Sequence, residues 1–215
     1  MNSVFKNKKI LFLAPHTDDV ELGCGATLAR VIEEGGDVYV AAFSTARQSL
    51  PPNTPSNQLE FEFRSAMSVY GINNTHLYVY DYEVRKLNYS RQDVLENMVE
   101  LKNQINPDWI FLPSGNDLHQ DHQVVFNEGL RAFKDRTIWG YELPWNHISF
   151  NAQGFIKVDL KHIEKKWQAM QEYKTQLVKK RPYFEKSFIE GIAKMRGMQI
   201  NEKYAEAFEV VRIKF

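Results

Sequence analysis

The chain has 215 residues, and its 27 lysines and arginines balance 27 aspartates and glutamates. That neutrality argues against a general nucleic-acid or anionic-membrane binder, whose footprint is a strong basic excess. A chain this long buries roughly 70% of its unfolded surface and needs no disulfides; its single cysteine, Cys24, permits none within the chain and fits a reducing compartment.

Lys6, Lys8 and Lys9 are followed by only a handful of apolar residues before Pro15. A signal-peptide core takes roughly 7–15 and a membrane span about 20. The expectation is a soluble, cytoplasmic protein with no integral membrane segment, forming one domain over residues 1–215. Lys9–Ala14 reads as a strand, apolar without alternation and therefore covered on both faces. Glu21–Glu34 reads as a helix, with Leu22, Ala26, Ala29 and Ile32 at helical spacing and Gly35-Gly36 as its stop. Asp37–Phe43 is a second strand, completing a βαβ unit that favours a parallel sheet. Ser44–Ser56, with three prolines, is a loop at the end of that strand.

Asn57–Tyr70 is a helix closed by Gly71, and His76–Tyr80 a third strand. Ser90-Arg91-Gln92-Asp93 reads as a capping box opening a helix with the stripe Val94, Met98, Leu101 and Ile105, ended by Asn106-Pro107. Trp109–Leu112 is the fourth strand, His122–Phe133 the next helix and Thr137–Glu142 a fifth strand. Beyond Pro144 we expect a strand near Phe155–Val158, a helix from Leu160 to about Leu177, another over Tyr183–Met195 and a last strand at Phe208–Ile213. The pattern is α/β: a Rossmann-like three-layer sandwich with a mostly parallel sheet and C-terminal helical and strand additions.

Two polar clusters stand directly after strands. His16-Thr17-Asp18-Asp19 follows the first, and Asp117-Leu118-His119-Gln120-Asp121-His122 follows the fourth. Charges beside a core are costly unless they are used or paired. Parallel pairing puts both clusters on one sheet edge, where open α/β sheets bind ligands. A catalytic divalent-metal site takes about three His, Asp or Glu ligands and keeps one position open. His16, Asp19 and one histidine of His119/His122 supply that set. Composition and spacing alone do not choose between Asp18 and Asp19, nor between the two histidines, and they stop at a metal-dependent hydrolase.

Other candidates are weaker. Gly23-x-Gly25 lacks the third small residue of a dinucleotide fingerprint because Leu28 stands there. His76, His147 and His162 read as structural or exposed, Trp167, Met170 and Tyr173 as core, and the basic run Lys161–Arg181 as a solvated helix face.

The pairing of Pro15-His16-x-Asp18-Asp19 with Asp117-x-His119-x-Asp121-His122 resembles the PIG-L/LmbE-like family of metal-dependent N-deacetylases. The resemblance extends to Gly23-x-Gly25, Glu62, Ala66 and Gly71, Pro107-Asp108, Tyr173-Lys174-Thr175-Gln176, and Arg196-Gly197 with Tyr204-Ala205-Glu206-Ala207-Phe208. It implies that His16, Asp19 and His122 bind the metal, zinc first and Fe2+ or another divalent ion as the alternative, since N/O ligands discriminate poorly by affinity. It implies Asp18 as the general base toward water. His119 would stabilise the oxyanion or protonate the leaving amine, with Asp121 orienting it and keeping it cationic.

The implied reaction removes the N-acetyl group of a small-molecule amino sugar or conjugate. The alternatives are hydrolysis of another amide or ester, or a sugar-binding protein that has lost catalysis. Thr17 and Gln120 depart from the family's usual prolines at positions that bind no metal. Leu59 stands where many relatives carry arginine, and Arg47 in the long loop is expected to substitute for it. Asp117 and Trp145 complete the expected substrate contacts. Self-association is left open.

Overall fold

The computed structural model describes residues 3–214. The first strand, β1 (Lys9–His16), leads into helix α1 (Asp19–Glu33), then β2 (Asp37–Ser44), α2 (Gln58–Tyr70) and β3 (Leu77–Val79). Helix α3 (Arg91–Ile105) follows, then β4 (Trp109–Pro113), α4 (Gln120–Ala132) and β5 (Thr137–Tyr141). The chain ends with β6 (Gly154–Lys157), α5 (Leu160–Met170), α6 (Lys174–Leu177), α7 (Lys186–Met198) and β7 (Ala205–Arg212).

These strands form one sheet in the order β3-β2-β1-β4-β5-β7-β6. The first five are parallel, and β7 runs antiparallel to both β5 and β6. The chain leaves β1 toward β2 on one side, while β4 lies on the other with Phe12 opposite Phe111. The strand order therefore reverses between β1 and β4, and their carboxyl ends open a crevice there. Both polar clusters lie at those two ends.

The unbroken apolar run of β1 serves two cores. Ile10, Phe12 and Ala14 pack under α1, α2 and α5, with Val20, Phe63, Met67 and Ile163. Leu11 and Leu13 face the other way, toward Val94, Met98 and Leu101 of α3 and Val124 and Val125 of α4. This is the three-layer sandwich expected, and the α3 stripe is buried as its spacing predicts.

Several local expectations are corrected. Helix α1 is broken at Cys24 (φ −147°, ψ 29°). The helix expected from Leu160 to about Leu177 is two pieces, because the chain turns at Gln171–Tyr173 to drive Tyr173 into the core. Ser90 is the N-cap of α3 without any side-chain capping bond. The long loop carries a 3-10 turn at Arg47–Ser49. The basic run is not simply a solvated face: Lys166 is buried, and Lys179 is half-buried.

Candidate active site

Asp19 begins α1 three residues beyond His16, so one turn brings its carboxylate back over the strand end. Asp19 Oδ2 accepts the His16 backbone N–H at 2.8 Å. The same oxygen lies 3.1 Å from His16 Nδ1 and 3.2 Å from His122 Nε2, and those two nitrogens are 3.3 Å apart. Three donor atoms from β1, α1 and α4 thus form a nearly equilateral triangle. A tetrahedral ion with bonds of about 2.0–2.2 Å spaces its ligands at roughly 3.3–3.6 Å. The triangle is equal to this or a few tenths of an ångström tighter, so the donor set fits a divalent metal closely in size and in chemistry. His16, His119 and His122 also each present a ligand atom within a looser 4.8 Å of one another.

The outer nitrogen of each histidine in the triangle is held by a carboxylate. His16 Nε2–H donates to Asp121 Oδ2 at 2.9 Å, and His122 Nδ1–H to Asp117 Oδ2 at 2.7 Å. This pairing turns the opposite nitrogens, His16 Nδ1 and His122 Nε2, toward the triangle. Burial alone would lower both imidazoles, but the Asp19 carboxylate and these partners raise His16 to about 10 and His122 to about 9. Burial works against an ionised Asp19 as well, yet His122 and His16 hold it well below the usual carboxylate range.

Two expectations change here. Asp121 does not present its carboxylate to His119: besides His16, it accepts the backbone N–H groups of Arg85 (2.5 Å) and Leu87 (3.2 Å). His119 instead receives the Asp121 backbone N–H on Nδ1 at 3.2 Å. An imidazole accepting at Nδ1 carries its proton on Nε2 and is neutral. Burial, with His122 and His16 adding to it, lowers His119 to about 4, so it is not kept cationic. Asp117, expected against substrate, is only 1% exposed and is consumed by His122, the His119 backbone N–H (2.8 Å) and Asn146 (3.3 Å).

Asp18 is the N-cap of α1 by position, but its side chain makes no capping bond. It lines a cavity of about 300 Å³ together with His16, Asp19, His119 and His122. Burial first, and then the Asp19 charge, raise it to about 6. Trp145 is on the cavity wall, 37% exposed, with one face stacked on Tyr183 at 4.0 Å and 12°. Leu59 also lines this cavity. Arg47 does not: it pairs with Asp81 at 2.8 Å in a separate surface depression. The cations on the cavity wall are Arg85, Lys179 and Arg181. Arg85 has no motif or periodicity to mark it, and Lys179 and Arg181 fall in the basic run that the sequence presents as a solvated helix face.

The family model for GlcNAc-PI de-N-acetylase, PIG-L, matches residues 11–133, the stretch that carries both clusters. The uncharacterized deacetylase YaiS of Escherichia coli strain K12 is 32% identical over 181 residues, 81% of this chain and 95% of YaiS. The N,N'-diacetylchitobiose deacetylase of Pyrococcus horikoshii superposes with a TM-score of 0.78 at 18% identity, covering 95% of this chain and 84% of that one. GalB, the 4-carboxy-2-hydroxymuconate hydratase of Pseudomonas putida KT2440, superposes at 0.77 with 17% identity, covering 97% and 98%. Likenesses this distant establish the shared fold, while the chemistry has to be argued from the site.

Proposed function

The chain belongs to the PIG-L family of de-N-acetylases, and from that premise we propose that it hydrolyses the N-acetyl group of an amino sugar or amino-sugar conjugate, releasing acetate and a free amine. The observation that carries this reading is the donor triangle of His16, Asp19 and His122 with the uncapped Asp18 beside it in one cavity. Those three residues would hold a divalent ion, zinc in our reading. Bound there, such an ion supplies a Lewis acid for the amide carbonyl and for water.

The chain's own groups do the rest. Asp18, raised to about 6, is ionised at neutral pH yet basic enough to take a proton from the attacking water. His119 has Nδ1 occupied as an acceptor, so it offers Nε2–H to the carbonyl oxygen as charge develops there. It has no second proton to give, which leaves Asp18, once protonated, as the source for the leaving amine. Asp117 and Asp121 hold the His122 and His16 rings in place. A cytoplasmic site of action, suggested by the lone buried thiol of Cys24, belongs to the same proposal. No helix among the described residues is long and apolar enough to cross a membrane.

The test is acetate release from a panel of N-acetylated sugars and conjugates by the metal-loaded protein and its Asp18→Asn variant. We expect at least one substrate, with the variant slower by about 10²–10⁴-fold at unchanged metal content. Acetate release undiminished in Asp18→Asn would remove Asp18 as the base. A filled metal site with no acetate from any member would favour hydrolysis of another amide or ester, or the sugar-binding alternative.

A further inference from the structure

Of the ten arginines in the chain, seven pair with a carboxylate. The others are Arg85, Arg181 and Arg212, which have no carboxylate partner among the described residues. Two of these three, Arg85 and Arg181, line the cavity that holds the donor triangle, and Lys179 joins them. Their own contacts are neutral. Lys179 Nζ reaches Gln176 Oε1 at 3.1 Å and the Ser49 carbonyl at 3.5 Å. Arg181 donates to the Tyr183 hydroxyl and leans over its ring at 5.7 Å.

Both segments that carry these cations are held by the fold. Arg85 sits at φ +68°, the left-handed region that a long side chain seldom adopts. Its N–H is fixed there by Asp121, the carboxylate that orients His16. On the other segment, the buried Glu62 of α2 accepts the Thr175 backbone N–H at 3.0 Å and its hydroxyl at 2.6 Å, tying down the turn that leads to Lys179 and Arg181. Leu59 contributes only an apolar wall.

We propose that the cavity takes an amino-sugar substrate bearing an oxyanion, a phosphate or a carboxylate, which Arg85, Lys179 and Arg181 bind while the acetamide lies at Asp18 and His119. The proposal rests on the deacetylase reading of the site and narrows it to anionic conjugates. Guanidinium groups recognise planar and tetrahedral oxyanions through paired N–H donors. A charge-assisted bond of this kind corresponds to about 10- to 100-fold in affinity.

The experiment compares kcat/KM for acetate release by the metal-loaded protein from three substrates that share N-acetylglucosamine. They are the methyl glycoside, the carboxymethyl glycoside and the 1-phosphate. We expect at least one anionic substrate to exceed the methyl glycoside by about 10- to 100-fold, and the larger of the two ratios identifies the oxyanion. Arg181→Gln and Arg85→Gln should each cut that ratio by about 10-fold, whereas Arg47→Gln, outside the cavity, leaves it unchanged.

Equal rates on all three substrates would overturn the anion site and leave the deacetylase reading standing. Acetate from none would count against the deacetylase reading, and calorimetric binding of the 1-phosphate against the methyl glycoside then decides the anion site. Tighter binding of the phosphate, lost in Arg181→Gln, supports it; equal affinities overturn it.

Discussion

One hydroxyl at the edge of the site fixes the protonation state of its neighbour. Tyr173 Oη lies 2.6 Å from the Thr17 carbonyl and 2.5 Å from Glu21 Oε1. A phenol has a single hydrogen to donate, so two acceptors cannot both be served. If Tyr173 donates to Thr17, Glu21 must be the carboxylic acid and donate to the phenol oxygen. The other Glu21 oxygen is buried without a partner, which an ionised carboxylate tolerates poorly. Burial agrees, raising Glu21 to about 8.

An unfolded glutamate releases its proton near pH 4.3, while the folded Glu21 keeps it until about pH 8. Between those limits the folded state binds more protons, so stability declines as pH rises, by at most about 1.4 kcal/mol per pH unit. Glu21→Gln mimics the neutral acid and removes this slope. We expect variant and wild type to match in urea unfolding at about pH 4, below the unfolded value, and the variant to be the more stable at about pH 8. A difference independent of pH would mean that Glu21 is ionised in the fold. The tyrosine was recognisable in the sequence as core, and the glutamate as a helix residue. Their meeting was not, since it joins residues 152 positions apart.

At the scale of elements, the break in α1 shows what sequence patterns miss. Gly23-Cys24-Gly25 falls inside the helix that the spacing predicts over Glu21–Glu34, and nothing local in the sequence marks a break. The glycines are there for close approach: a Cβ on Gly23 would come 2.3 Å from the Tyr141 ring, and one on Gly25 2.6 Å from Tyr70 Oη. The groups left open at the break are satisfied from far along the chain. Glu206 of β7 accepts the backbone N–H of Ala26 (3.2 Å) and Thr27 (2.6 Å), capping the second half of the helix. Lys166 of α5 donates to the Leu22 carbonyl at 2.9 Å and pairs with Glu206 at 2.7 Å. Both side chains are buried.

Removing one member of a buried pair strands the other charge, a loss of about 3–5 kcal/mol. Lys166→Met is therefore expected to destabilise the protein by about that much, with part of the loss recovered in Lys166→Met/Glu206→Gln. Urea midpoints for wild type, single and double variants measure it, and a loss below about 1 kcal/mol in Lys166→Met would show that the pair does not hold the break. The strands, by contrast, were legible because apolar runs with no alternation admit few readings. The break depends on contacts up to 180 residues distant in sequence.

For the whole molecule, topology makes the site. Residues 16–19 and 117–122 are about a hundred positions apart, yet β1 and β4 are parallel neighbours, so their ends deliver both clusters to one crevice. That convergence was readable from the strand-then-cluster pattern. The cations of the cavity wall were not, since Arg85, Lys179 and Arg181 come from turns whose placement depends on the finished fold.

A site assembled from segments about a hundred residues apart does not exist in the unfolded chain, so a ligand of the donor triangle stabilises the fold. At free zinc about 1,000-fold above its dissociation constant, the gain is about 4 kcal/mol. For a chain of this length, each kcal/mol moves the melting temperature by roughly 2–4 °C. Wild type loaded with zinc should therefore melt roughly 10 °C above the chelated protein. His122→Ala, which removes one corner of the triangle, should lose most of that difference. Scanning calorimetry with and without chelator reads this out independently of turnover. An equal shift in wild type and His122→Ala would place the bound ion elsewhere, and no shift in wild type would mean that the triangle holds no metal under those conditions.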